Sequence, residues 1–338
     1  MKRTLRVALA MIALVLTLPS CKKKADEQTA VKPAYNFEKK ADKVTVTNDG
    51  VTFTDFFGTE KTLKRGAYKR VVSLYHSHTA LWYDVGGKLV GRVHTQGAEK
   101  QLPAAALSED VKIVANGITI NTISVEEVLR AEPDLVILGQ AMGQPGLVPA
   151  LTSAGLETIV VDYNDLSDYL KWYKIFSYLN GTEANYETVA KKTLENVLAI
   201  LGKVPTTDNP PTVLPIFSAF GKITASLSGT ALGRMINQLH AVNVADKLPK
   251  EKSDGRMEMN LESIVLADPD IIVIQAMNEE MTKVSMEKEY SNNELWNSLR
   301  AVKDGKVYIL PSNLFHYRPH SNYDKSYQYM FDILYPVK

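Results

Sequence analysis

The sequence contains one cysteine, Cys21, among 338 residues, and this scarcity excludes an internal disulfide and any catalysis that needs a second thiol. It also lacks an excess of either charge, since 39 basic residues stand against 38 acidic ones. Nothing in that balance points to nucleic acid as a partner. The apolar run at residues 7–18 is too short for a membrane-spanning helix, which needs about 20 residues.

Catalytic signatures are absent as well. The sequence has no Gly-x-Ser-x-Gly elbow, no glycine-rich phosphate loop ending in Lys-Ser or Lys-Thr, and no His-Glu-x-x-His motif. We therefore predict that the protein is not an enzyme and has no covalent or catalytic cofactor. One enzymatic alternative stays open, a zinc hydrolase assembled from His76, His78 and a distant carboxylate.

The first residues have the form of a secretory signal peptide. A basic start precedes the apolar run, and the sequence LPSC then ends at Cys21. LPSC resembles the bacterial lipobox, in which the cysteine is lipidated; the alternative is an ordinary signal peptide with a chance cysteine. We predict a signal peptide at 1–21 and a lipid anchor on Cys21, which places the protein in the cell envelope, facing the periplasm or the exterior. The charged residues 22–42 then form a flexible tether.

Two segments of the chain repeat each other. Residues 124–138, SVEEVLRAEPDLVIL, align without gaps with residues 260–274, NLESIVLADPDIIVI, at a constant offset of 136. Each copy starts with a residue that caps helix N-termini, Ser124 or Asn260, and a proline ends the short amphipathic helix. Four consecutive apolar residues follow, as in a strand buried on both faces. Each half of the chain is therefore predicted to contain a helix–Pro-Asp–strand unit of a parallel sheet.

Other segments extend this pattern into two α/β lobes. The further predicted strands are RVVSLY (70–75), TIVVDY (158–163), TVLPIF (212–217) and KVYIL (306–310). The long helical pattern at 182–204, capped by Thr182, lies between the two repeats. We predict an α/β fold of two lobes with mainly parallel sheets, residues 43–181 and 205–338, joined by that single long helix, with a ligand cleft between them. NDG at 48–50 predicts a hairpin before the first lobe.

The order and spacing of four segments resemble a known family. They are DFFGTEKTLKRGAYKRVVSL, YDVGGKLVGR, NLESIVLADPDIIVI and WNSLRAVKDGKVYIL. With the lipobox and the two lobes, they are similar to the substrate-binding lipoproteins of bacterial ABC importers that bind ferric siderophores, haem or cobalamin.

This resemblance implies a monomeric binding protein that is not an enzyme. It would carry an iron chelate (a ferric siderophore or haem) as cargo and deliver it to an ABC permease and its ATPase. The alternative cargoes are cobalamin and a nickel or cobalt chelate.

Candidate ligand-binding residues follow from the position of the strands. Ligands of open parallel sheets bind beyond the carboxyl ends of the strands, and five of the six histidines fall on such loops. Imidazole and phenol groups ligate iron, cobalt, nickel or zinc, and arginine pairs with anionic chelates. The predicted ligand-binding residues are Tyr75, His76, His78, Arg92, His94, Gln96, His316, Tyr317, Arg318 and His320. Four of them are also predicted as metal ligands, namely His76, His78, His316 and His320. His240, by its helical spacing, is assigned to helix packing or the surface.

The strongest local prediction concerns His76 and His78. We place them at the mouth of the cleft, on a loop before a helix that begins near Thr79, facing the loop that carries His316 and His320. The positive end of that helix would keep the imidazoles neutral. Binding is then expected to weaken as the pH falls through about 6 to 7, where an unperturbed histidine gains its proton.

Overall fold

The computed structural model of the protein describes residues 35–219, 222–248 and 255–337. The predicted signal peptide and Cys21 lie outside these ranges. No helix within the described ranges is long and apolar enough to cross a membrane.

The chain enters the fold through two 3-10 helices, Phe37–Lys39 and Ala41–Lys43. Phe37 and Ala41 are buried in the core, so the predicted tether boundary at residue 42 was wrong: the folded body already includes residues 37–42. An antiparallel three-stranded sheet follows. Its strands are β1 (Thr45–Val46), β2 (Gly50–Thr54) and β3 (Glu60–Lys64). The hairpin predicted at residues 48–50 is confirmed by the pairing of β1 with β2.

The first lobe is built on five parallel strands in the order β6-β5-β4-β7-β8. These are β4 (Val71–Ser73), β5 (Gly91–His94), β6 (Lys112–Asn116), β7 (Leu135–Gly139) and β8 (Glu157–Val161). Its α-helices are α1 (His76–Asp84), α2 (Val125–Arg130), α3 (Val148–Ser153) and α4 (Leu166–Asn180). Shorter 3-10 helices occupy Glu99–Gln101, Ala104–Leu107, Ile120–Thr122 and Gln144–Leu147.

The connection between the lobes is helical but shorter than predicted. A π-helix, Tyr186–Lys191, continues directly into α5 (Lys192–Leu201). Thr182 does not cap it, because the Thr182 hydroxyl donates instead to the carbonyl of Val85 in the first lobe. This helix packs against the last helix of the chain, which returns from the second lobe.

The second lobe has its own sheet, in the order β12-β10-β9-β13-β14, with β11 added beside β9. Its strands are β9 (Thr212–Ala219), β10 (Lys222–Ser226), β11 (Val242–Asn243), β12 (Arg256–Glu258), β13 (Ile271–Ala276) and β14 (Val307–Leu310). β9, β11, β13 and β14 are parallel, whereas β10 runs antiparallel to its two neighbours. The two sheets are separate, and the predicted two-lobed α/β architecture is confirmed.

Seven α-helices belong to the described part of this lobe. They are α6 (Ala231–Gln238), α7 (Leu261–Ala267), α8 (Glu279–Tyr290), α9 (Glu294–Ser298), α10 (Arg300–Lys303), α11 (Ser312–Phe315) and α12 (Tyr323–Leu334). The 3-10 helices of this lobe are Val244–Lys247 and His320–Asn322. α12 is the helix that packs along α5.

The sequence repeat corresponds to the same backbone corner in both lobes. Ser124 accepts a hydrogen bond from the amide of Glu127 at the start of α2, and Asn260 caps α7 in the same way. At the end of each helix, matched residues adopt a left-handed backbone: Glu132 with φ 49° and Asp268 with φ 35°. The Pro-Asp pair then directs the chain into β7 or β13.

The aspartate that both copies share explains why the corner needs this residue type. In the first lobe the Asp134 amide donates to the carbonyl of Arg70, and its carboxylate accepts the Arg70 amide at 3.0 Å. In the second lobe Asp270 makes the same pair of bonds with Thr212. Asp134 therefore bonds the first copy to the residue just before β4. Asp270 bonds the second copy to the first residue of β9.

The lobes share one hydrophobic core. A single cluster of buried side chains runs from Leu135 in the first sheet, through Trp172 of α4 and Val197 of α5, to Val273 in the second sheet. Two smaller clusters cover the other face of each sheet. The shared core favours small movements between the lobes over wide opening.

Candidate functional site

The loop after β4 is shorter than predicted. α1 begins at His76 rather than near Thr79, and Tyr75 is its N-cap residue, so both histidines belong to the first turn of the helix. The amides of His78 and Thr79 each donate to the carbonyl of Tyr75. The sequence gives no sign of this start, because tyrosine has no side-chain oxygen close enough to cap a helix.

The two histidines form a stack that faces the second lobe. The ring of Tyr75 stacks on both histidine rings. Its centroid lies 5.0 Å from that of His76 and 4.9 Å from that of His78. The rings of His76 and Tyr317 form a T-shaped pair with centroids 5.3 Å apart. His78 is 3% exposed, whereas His76 is only partly buried.

Burial keeps these imidazoles neutral. It lowers the pKa of His76 to about 4, with His316 and Arg318 contributing repulsion, and lowers that of His78 well below its ordinary value. Burial likewise lowers the pKa of His316 to about 4 and of His320 to about 3. The predicted neutrality therefore has desolvation as its main cause, not the helix end. With pKa values this low, a loss of binding caused by protonation of His76 or His316 is expected near pH 4 instead of at pH 6 to 7.

The second lobe contributes a loop, residues 316–320, that crosses to the first. The Nε of Arg318 donates to the carbonyl of Tyr163, just beyond β8, at 3.0 Å, and its guanidinium lies 5.7 Å from the Tyr163 ring. The hydroxyl of Tyr163 and Nδ1 of His320 are 3.4 Å apart. His320 has φ 50°, a costly conformation for a non-glycine residue, which these contacts hold in place.

A second guanidinium lies near this loop. Arg256 of β12 stacks on Phe217 at 3.6 Å, and Phe217 stacks in turn on His316 at 5.8 Å. The pKa of Arg256 is lowered by partial burial and by the nearby charge of Arg318. Like charges held together in this way favour an anionic ligand.

Arg92 and His94, also predicted as ligand-binding residues, contact a carboxylate of their own lobe. Both belong to β5 itself instead of the loop that follows it. The buried Arg92 side chain donates to the carbonyls of Ala106 and Val93 and to Glu99 at 2.7 Å, and His94 Nδ1 is 2.7 Å from the same carboxylate. Hydrogen bonds from His94 and Arg92 lower the pKa of Glu99. These groups are already paired within the first lobe.

The cleft contains a large cavity of about 790 Å³ lined by both lobes. Gln96 and Lys100 form part of its first-lobe wall, and the start of α8, including Glu280, forms part of its second-lobe wall. Tyr317 also lines it, and on the other side Tyr317 faces a smaller cavity of about 110 Å³. Five of the predicted residues line these cavities, namely Gln96, Tyr317, Arg318, His76 and His320. The other five line neither of the two, namely Tyr75, His78, Arg92, His94 and His316.

The four predicted metal ligands do not form a ready-made metal site. Within the described parts of the chain, no group of three or more His, Cys, Asp or Glu side chains is arranged to hold a metal ion. No carboxylate therefore joins His76 and His78 in such a cluster. Three imidazoles nevertheless have a buried Nδ1 without a hydrogen-bond partner among the described residues. They are His76, His78 and His316.

Sequence reasoning missed three residues of this region. Tyr163 and Phe217 stand at the ends of predicted strands, so the rule applied to the histidines would have included them had aromatic residues been counted. Arg256 had no such signal. It lies on β12, which is antiparallel to its neighbour, and it is far along the chain from the end of any predicted strand. His240, assigned to packing or surface, is exposed in the turn after α6.

Known proteins resemble this chain in sequence. The sequence matches the periplasmic binding protein family over residues 71–314. It is 28% identical over 257 residues to the Fe(3+)-citrate-binding protein YfmC of Bacillus subtilis, covering 73% of this chain and 75% of that protein. It is 24% identical over 164 residues to the high-affinity heme uptake system protein IsdE of Staphylococcus aureus (strain MRSA252), covering 47% of this chain and 54% of that protein.

Solved structures show the same fold. S. aureus IsdE complexed with heme aligns with a TM-score of 0.65 at 20% identity, covering 79% of this chain and 98% of that one. The periplasmic catecholate-siderophore binding protein VctP from Vibrio cholerae aligns with a TM-score of 0.66 at 16% identity, covering 86% and 100%. The family match spans most of the folded body and contains both repeats. The chain therefore belongs to the periplasmic binding protein family.

Proposed function

We propose that the protein is the substrate-binding component of an ABC importer and that its cargo is an anionic iron chelate. It would hold the chelate in the cleft and deliver it, chemically unchanged, to a membrane permease and its ATPase. The similarity to an Fe(3+)-citrate-binding protein over three quarters of that protein's length supports this cargo class.

One observation carries the proposal: two guanidinium groups lie near the neutral imidazole of His316. Arg318 and Arg256 are close enough that each lowers the proton affinity of His316. A guanidinium pairs with carboxylate or catecholate oxygens through parallel hydrogen bonds. A neutral imidazole can complete the coordination of a metal whose other ligands come from the chelate. Together they fit a metal complex that carries negative charge.

Haem is the second candidate, because of the aromatic character of the same surface. Rings of Tyr75, Tyr317 and Phe217 lie beside His76 and His316. A porphyrin needs flat apolar contacts, an axial nitrogen ligand and cations for its propionates, and this region has all three kinds of group. The cavity of about 790 Å³ is in the size range of small-molecule sites.

Spectroscopic titration of the purified protein tests the proposal. Ferric citrate, a ferric catecholate, hemin and cyanocobalamin each have distinct visible absorbance, so one experiment compares all four. We expect saturable binding of a ferric chelate or hemin, and at least tenfold weaker binding in Arg318→Gln than in the surface control His240→Ala. Binding of cyanocobalamin alone, or of none of the four, would contradict the proposed cargo.

We also propose that Cys21 is acylated and anchors the protein to the membrane. A single acyl chain anchors only weakly, so more than one chain is expected on this residue. Replacing Cys21 with serine should release the protein from the membrane fraction while leaving cargo affinity unchanged, because the site residues all lie beyond residue 70. Membrane retention of Cys21→Ser would contradict lipid anchoring.

A further inference from the structure

The smaller cavity, of about 110 Å³, has a composition unlike that of the larger one. Its lining includes Arg318 but no aspartate or glutamate, whereas Glu279 and Glu280 line the larger cavity. Tyr317 and Gln101 border both spaces, so they separate the two compartments. The inner compartment therefore has a net positive lining, and the outer one does not.

Arg318 points donors into this compartment with nothing to accept them. Its Nε is bonded to the carbonyl of Tyr163, which fixes the plane of the guanidinium. Its two terminal nitrogens have no acceptor among the described residues, although the residue lines the cavity. A guanidinium fixed on one edge and open on the other is well placed to bind two oxygens of one anionic group.

The N-terminus of α1 enters the same compartment. This nine-residue helix has no side-chain cap and no acidic residue in its first turn. The amides of His78 and Thr79 donate to Tyr75, but those of His76 and Ser77 have no acceptor among the described residues. Uncapped amides and the helix dipole together attract anions.

A buried side chain adds an independent indication of a ligand. Ser77 lines the compartment and is only 5% exposed, yet its hydroxyl has no hydrogen-bond partner among the described residues. A hydroxyl in that position can donate to an anionic group that enters the compartment. The amides of Gln101 and Asn313 line the same space and can also donate.

The size of the compartment limits what can occupy it. Its volume of about 110 Å³ is roughly one seventh of that of the larger cavity. That volume suits one carboxylate or phosphate group and not a complete chelate. The imidazoles that line it, His76 and His320, are neutral at physiological pH and so add donors or acceptors without adding charge.

We propose that this inner compartment is a separate oxyanion subsite, which binds a single carboxylate or phosphate group through Arg318, Ser77 and the N-terminus of α1. The subsite binds such a group without any metal. It rests on the proposed function only in one respect: in the loaded protein, the occupant would be a free anionic arm of the cargo in the larger cavity.

Calorimetry with metal-free anions tests the subsite. The full chain is titrated with iron-free citrate and, separately, with inorganic phosphate, against chloride at equal ionic strength. We expect both oxyanions to bind in the millimolar range or tighter and to raise the melting temperature, and chloride to do neither. Arg318→Gln should weaken oxyanion binding at least tenfold. The matched control Arg130→Gln, on the exposed surface of α2, should leave it within twofold.

A second variant covers the case in which Arg318→Gln fails to fold. Ser77→Asp places a carboxylate in the compartment, and should abolish oxyanion binding while the melting temperature of the ligand-free protein shows that it is folded. No binding of citrate or phosphate to the wild type would overturn the subsite, as would full binding by Ser77→Asp. If a ferric chelate still binds the wild type in that case, the subsite fails and the proposed function stands.

Discussion

The first lobe offers two histidine-bearing strand ends with the same sequence signal and opposite outcomes. The one after β4 carries His76 and His78, whose buried Nδ1 atoms have no hydrogen-bond partner among the described residues. The one at β5 carries His94, which is about 41% exposed and bonded to Glu99. Both follow an apolar strand, and both were predicted as ligand positions.

The difference arises from one nearby carboxylate. Glu99 lies five residues after His94 and accepts hydrogen bonds from both His94 and Arg92, so these groups are already satisfied inside their own lobe. Among the described residues, no carboxylate bonds to His76 or His78. Tyr75 stacks on both rings, Tyr317 contacts His76 from the second lobe, and Tyr163 stacks on His78. A strand-end position brings a side chain to the edge of the cleft, and its partners decide whether it is free to bind a ligand.

The largest expected effect is on the stability of the protein at acidic pH. Between pH 6.5 and about 4, the unfolded chain protonates His76 and His316 while the native protein keeps them neutral. The unfolded state then binds more protons, so the free energy of unfolding falls as the pH falls through this window. The loss is at most about 3 kcal/mol for each histidine. Urea unfolding at pH 7, 6, 5 and 4.5 measures it, and His76→Gln/His316→Gln should show a shallower loss. A variant with the wild-type slope would contradict the assignment.

Replacing Arg92 should mainly lower stability, whereas replacing Arg318 should mainly lower cargo affinity. Arg92→Leu should destabilise the protein by about 2 to 4 kcal/mol, because it leaves Glu99 and the carbonyl of Ala106 without their donor. Its cargo affinity should remain within twofold. Arg318→Leu should do the reverse, with a large loss of affinity and a stability loss of about 1 kcal/mol from the bond to Tyr163. Urea midpoints and cargo titration measure both; a large affinity loss in Arg92→Leu would place it in the site after all.

Replacing the imidazoles tests the comparison directly. His76→Ala/His78→Ala should lower cargo affinity at least tenfold, about 1.4 kcal/mol, because it removes two neutral nitrogens and part of the aromatic stack. His94→Ala should change affinity less than twofold. Thermal melting confirms that each variant is folded before titration. Equal affinities for the double variant and the wild type would show that the pair is not part of the ligand site.

The smallest expected effect belongs to the histidine outside both regions. His240→Ala should leave cargo affinity unchanged and shift stability by no more than about 0.5 kcal/mol, since the side chain is exposed after α6. The same titration and melting experiments measure it. A clear loss of affinity would mean that the cleft is not where the cargo binds.

The sequence by itself determined the architecture of the two lobes. The repeat predicted a helix–Pro-Asp–strand corner in each, and both corners form, with Asp134 and Asp270 bonded to the neighbouring central strand. It also predicted that the segment of His76 and His78 faces the loop of residues 316–320, and the His76 ring contacts Tyr317 of that loop. These features depend on local periodicity, caps and turns, which are legible along the chain because the interacting residues are near one another or follow a fixed pattern.

Only the tertiary structure decided which of the candidate residues are free to act. Arg318 meets Tyr163 across 155 positions of sequence, and Arg256 reaches the site by stacking on Phe217. Burial, not the helix end, sets the protonation of the histidines. Hydrogen bonds, stacking and desolvation depend on distances between residues remote in the chain, and one sequence alone does not contain those distances.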